Sequence, residues 1–207
     1  NPVSSVKNVK NDSDSLKWLT DKQIKALQSV LINQDNPRNN LVIKLILYAG
    51  MLVNELSYLK VTDIEKTDEF IYLRVGDRKI PAYKPLRWAL LNYLNSNSLT
   101  NGYLLSSVRS EQLSIRAIQH IVAEYGKKAG IENLTAITLR HTFGYKLAQA
   151  GADPYTIAIL MGYRTSDNFP NANTALQYIT DWGKFQKQLE KNIKITDSDE
   201  TLYDEEG

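Results

Sequence analysis

The stretch from Leu134 to Tyr163 limits the possible folds of this chain more than any other. Its spacing predicts a helix over residues 138 to 150 that carries Leu139-Arg140-His141-Thr142-Phe143, a break at Gly151, and a second helix over residues 154 to 161 that ends at Gly162-Tyr163. The chain is therefore helical where its most distinctive residues lie.

The same pattern extends to both sides. Thr20-Asp21-Lys22-Gln23 reads as a capping box ahead of an apolar stripe at Ile24, Leu27, Val30 and Leu31, which predicts a helix over residues 21 to 31. After Asn36-Pro37 a strongly apolar helix, central in character, should end near Gly50, and a short one should follow over 53 to 59. Residues 70 to 75 and 79 to 82 are strand-like and joined by the turn residues Gly76-Asp77. Pro85 opens a helix reaching about Tyr93, since proline is tolerated in a first turn. Residues 113 to 129 form an amphipathic helix with Ile115, Ile118, Ile121, Val122 and Tyr125 on one side, and it stops at Gly130. Further helices are expected over 174 to 179 and 182 to 193. The fold class is mainly α with a small antiparallel β-sheet.

Composition narrows the setting. There is no cysteine among the 207 residues, so disulfide frameworks and thiolate metal sites are excluded and a reducing cytoplasm is the expected location. No run of eighteen apolar residues suggests a membrane span, and residues 1 to 3 do not begin a signal peptide. Neither a metal nor a cofactor is expected. The net charge of +2 hides an asymmetry, because residues 197 to 207 hold six acidic side chains and no basic one. The remaining body sets 25 basic side chains against 17 of the 23 acidic ones, a balance that suits a polyanionic partner. Residues 1 to 18 read as a linker, residues 19 to 195 as one domain and residues 196 to 207 as an acidic disordered tail.

The Arg140-His141 segment with its glycine turn and Met161-Gly162-Tyr163 resembles the tyrosine recombinase (phage integrase) family, over roughly Leu19 to Tyr178. That resemblance implies the tyrosine recombinase catalytic-domain fold and double-stranded DNA as partner. It also implies that the linker once joined an N-terminal DNA-clamping domain. In the family, a tyrosine attacks the scissile phosphate while two arginines, two histidine-type donors and a hairpin lysine hold the developing charge.

Matched position by position, the family motif around the first arginine reads Gly50-Met51-Leu52-Val53-Asn54-Glu55-Leu56, with Leu52 in the arginine's place. Arg140 matches the second arginine. Ile137 stands where a histidine is placed three residues earlier, and Tyr163 replaces the next donor. Leucine and isoleucine donate no hydrogen bond, and a tyrosine is a poor substitute for imidazole. Tyr178 matches the nucleophile, but residues 164 to 173 separate it from Gly162 by more than the family's usual spacing. Catalytic remnants are thus Arg140, His141 and Tyr178, and degenerate positions are Leu52, Ile137 and Tyr163. Losing one donor from such a site costs about 10²–10³ in rate, so this set is expected to be insufficient for cleavage.

DNA contacts are expected from Arg140, from Arg74, Arg78, Lys79, Lys84 and Arg87 around the hairpin, and from Arg164. Arg116, Gln119 and His120 lie off the isoleucine stripe of their helix. They are either a solvated face or, as the resemblance implies, a reader of bases in a major groove. The resemblance also raises homo-oligomer formation through the helix around Trp182 to Ile193. The function expected is sequence-specific DNA binding by a phage or mobile-element repressor without cleavage activity. The alternatives are an active but divergent site-specific recombinase and a protein-interaction module.

Overall fold

The structure is a computed structural model, and it describes residues 17 to 179 apart from 34, 35 and 109. The expected helix over 182 to 193, the acidic tail and most of the expected linker lie outside the described residues. Of that linker, Trp18 is placed, and its ring stacks on Tyr145 at 4.4 Å.

The helices form where capping chemistry and apolar spacing agree. α1 (Asp21–Asn33) starts at the expected box, in which the Thr20 backbone N–H donates to Gln23 Oε1 at 2.9 Å. α2 (Pro37–Ala49) has Asn36 as its cap, Pro37 in its first turn and Gly50 in the left-handed conformation at its end. Buried nearly all round, α2 is the central helix: it packs against α4 (Lys84–Ser96), α5 (Ile115–Lys128) and α6 (Ala136–Gln149). α3 (Val53–Tyr58) packs on α5. α7 (Pro154–Met161) and α8 (Ala172–Ala175) form a second, smaller apolar cluster with Phe143 and Tyr178. Residues 176 to 178 continue as one 3-10 turn rather than the longer helix expected there.

The sheet has three antiparallel strands in the order β1-β2-β3: β1 (Ile64–Lys66), β2 (Ile71–Val75) and β3 (Arg78–Pro81). β2 and β3 form the expected hairpin, with Val75 opposite Arg78 across the Gly76-Asp77 turn. β1 was not foreseen from the sequence. Its three residues are too few to display alternation. Ile115 also departs from the stripe assigned to it, since it is exposed at the first turn of α5 while Ile118, Ile121, Val122 and Tyr125 are buried. Among the described residues, no helix is long and apolar enough to cross a membrane.

Candidate functional site

The site forms where the end of α2, the start of α3, β3, α6 and the end of α7 converge. Arg140, on α6, is only 8% exposed. Its guanidinium donates to the backbone oxygens of Gly50 and Met161, the terminal turns of α2 and α7, and lies 5.7 Å from the centre of the Tyr163 ring. Each helix end leaves carbonyls without an intrahelical partner, and the arginine satisfies one from each. Burial pulls the Arg140 pKa below its ordinary value, and Arg78 nearby works in the same direction against the opposing influence of Tyr163 and Glu55.

Gly50 holds this junction for two reasons. Its φ of +60° is the left-handed region that glycine tolerates, and a Cβ built there would lie 2.3 Å from Cδ1 of Phe143. Gly144, one turn beyond Arg140, leaves room of the same kind for Tyr178, whose Cζ would be 2.7 Å from an added Cβ. Neither glycine was assigned this part from the sequence. The signal was their small size beside the aromatic and arginine positions.

Tyr178 is 1% exposed. Its hydroxyl is hydrogen-bonded to Nδ1 of His141 at 2.7 Å and to the hydroxyl of Tyr163 at 2.7 Å. Burial and the hydrogen bond with Tyr163 push the phenol well above its usual range, so it is held neutral. His141 is pulled the other way, its pKa lowered by burial and then by Arg140. The structure thus gathers Arg140, His141, Tyr163 and Tyr178 into one cluster, the four that the sequence placed as remnants or replacements. Leu52 and Ile137 stand at its margin, 45% and 66% exposed. They present apolar surface to solvent where a phosphate-holding site would want donors.

Of the expected DNA-contacting residues, several are placed differently. Arg78 is 4% exposed, so it is corrected from a surface contact to an interior group. Its guanidinium forms an ion pair with Glu55 and donates to the Leu160 carbonyl at 2.8 Å. β3 alternates, and Arg78 shares the inward face with Ile80. The signal that could find it is its offset of two residues from Ile80, once the strand is taken to begin at Arg78. Lys79 faces outward, but it pairs with Glu65 at 2.9 Å and lies over Tyr72. Arg87 donates to the Glu69 carbonyl, and Arg164 pairs with Asp77 at 2.6 Å, tying the 164 to 173 segment to the hairpin turn. Arg74 and Lys84 are exposed, as are Arg116, Gln119 and His120 on the first turns of α5, beyond the Ser114 cap.

Comparison with known proteins agrees with this architecture. The chain matches the model of the Phage integrase family over residues 17–178. Tyrosine recombinase XerA from Pyrococcus furiosus is 36% identical over 154 residues, which are 71% of this chain and 53% of the relative. Tyrosine recombinase XerA from Pyrococcus horikoshii is 33% identical over 78% of this chain and 58% of the relative. The chain therefore spans a little over half the length of these curated relatives. Among solved structures, XerA recombinase superposes with a TM-score of 0.67 at 23% identity, covering 84% of this chain and 64% of the other. XerH site-specific recombinase bound to difH substrate gives 0.66 at 21% identity, covering 78% of this chain and 50% of the other. At these identities the superpositions speak to fold alone, and the fold is that of the tyrosine recombinase catalytic domain. With most of its length matched by the family model, this chain belongs to the phage integrase family.

Proposed function

We propose that this protein is a sequence-specific duplex-DNA-binding member of its family that does not cleave the strand it binds. The observation behind this reading is the surround of Arg140: Leu52 and Ile137 offer no donor, and the Tyr178 hydroxyl is buried in contacts with His141 and Tyr163. A phosphate can be gripped by one arginine, but in-line attack needs a free phenol and several donors on the developing charge. The exposed Arg116, Gln119 and His120 supply base-reading chemistry on the first turns of α5, and Arg74 and Lys84 supply backbone contacts. Transcriptional repression is the use proposed for such binding, with assembly through residues 182 to 193 as part of it. Genome-wide occupancy of the full-length protein tests this, expecting promoter sites. Sedimentation of the protein with and without its site tests the assembly.

A second reading is a working site-specific recombinase, and kinship weighs on its side. The relatives of highest identity described above carry the name tyrosine recombinase, and XerH was solved bound to difH substrate in a pre-cleavage complex. Arg140, His141 and Tyr178 also converge here, with the imidazole 2.7 Å from the phenol, the arrangement of a base beside a nucleophile. Occupancy at a single recombination site, with exchange of flanking sequence, would establish this reading in place of the first.

A further inference from the structure

The Arg140 site contains a second guanidinium that its own sequence motif lacks. Glu55 is bonded on both oxygens: Oε2 accepts the backbone N–H of Leu52 at 2.8 Å, and Oε1 pairs with Arg78. This carboxylate therefore holds the Arg78 guanidinium beside the backbone of residue 52, although the side chain arrives from β3 and not from the start of α3. Arg78 then donates to Leu160 O at 2.8 Å and packs on Gly162, where a Cβ would lie 2.9 Å from Nε. Arg140 donates to the carbonyl of the very next residue, Met161. The two guanidiniums thus share the last turn of α7, and each is more than nine-tenths buried.

Charge in this cluster does not cancel. Two arginines face one carboxylate, and the adjacent Arg164–Asp77 pair is neutral in itself. A buried surplus cation is costly unless a counter-charge approaches. Leu52, whose N–H bonds Glu55, and Ile137, one turn before Arg140, are both exposed and mark the surface nearest this charge, from which a counter-charge would have to approach.

Building on the DNA-binding reading above, we propose that Arg78 supplies the second positive charge of a single-phosphodiester site centred on Arg140, in place of a cation at Leu52, with Glu55 holding the cluster at a net +1. Arg78 acts here as a positioning and field-supplying residue: it strengthens the site through its charge without lying on the surface.

The test is a charge series in the full-length protein, read by fluorescence anisotropy on a labelled mixed-sequence duplex as salt is raised. Glu55→Gln keeps the shape and the acceptor for Leu52 N–H but raises the cluster charge, so affinity at low salt should rise on the order of tenfold. Arg78→Met should lower affinity by a similar factor and reduce the salt slope by about 1. Arg78→Met/Glu55→Gln restores the original net charge and should return affinity close to wild type. A structural role for the ion pair predicts weaker binding, or none of these changes, in Glu55→Gln, and either result overturns the proposal. If Arg78→Met fails to fold, Glu55→Gln decides alone. Wild type that binds no duplex overturns the DNA-binding reading and this proposal together. Wild type that binds while all three variants match it overturns this proposal only.

Discussion

Replacing Tyr178 by phenylalanine removes one oxygen atom and tests whether the phenol is held as described. In the structure that oxygen makes two hydrogen bonds of 2.7 Å, to His141 and Tyr163, and the ring is 1% exposed. A typical buried hydrogen bond contributes about 1 kcal/mol net, and stranded partners cost more. Both partners here are only half-buried, so water can reach them and the expected loss is about 1.5 kcal/mol. For a domain of this size each kcal/mol moves the Tm by about 2–4 °C, which predicts a fall of about 3–6 °C. The phenylalanine ring still fills the space above Gly144, whereas Tyr178→Ala empties it and should cost about 3–5 kcal/mol. Urea titration followed by tryptophan fluorescence, repeated on Tyr163→Phe and the double variant, measures the coupling directly. A Tyr178→Phe protein as stable as wild type would refute the reasoning, because the hydroxyl would then be free and poised for attack.

Gly144→Ala should destabilise by about 1 kcal/mol net, since overpacking against the Tyr178 ring costs about 1–3 and alanine's better helix propensity returns about 1. Combined with Tyr178→Ala it should lose less than the two changes do separately, as a double-mutant cycle would show. Gly50→Ala meets both a positive φ and the Phe143 ring, so a loss above about 2 kcal/mol is expected in a denaturant melt. His141 gives a pH signature: its folded pKa lies below the unfolded value of about 6.5, so protonation favours the unfolded chain. The contribution is complete above about pH 6.5 and is lost as pH falls through the folded pKa. His141→Asn should flatten the fall in stability below about pH 6.5, and an unchanged pH profile would contradict the assigned burial.

Much of this site could be read from the chain because its residues lie on regular elements. Ile137 lies one turn before the adjacent Arg140 and His141 on one helix, and α1, α2 and α7 begin where capping residues and prolines place them. Arg78 falls just outside the strand expected over residues 79 to 82, where its charge alone suggests the surface, whereas β3 begins at Arg78. An arginine two residues from an inward isoleucine in a strand faces inward as well, and a part-buried carboxylate such as Glu55 can receive it. Two relations had no local signature. The pairing of Glu55 with Arg78 spans 23 residues, and the fit of Tyr178 over Gly144 requires the whole 164 to 173 segment to fold back. The buried hydrogen bond from Leu19 N–H to Thr142 Oγ1 at 2.9 Å is likewise a product of packing.

The most direct test of the central claim is a nicked suicide duplex carrying a site taken from genomic occupancy, incubated with the full-length protein and resolved under denaturing conditions. The account predicts that the duplex is bound and that no protein–DNA adduct forms. A covalent adduct abolished by Tyr178→Phe would contradict it and establish the protein as a working recombinase.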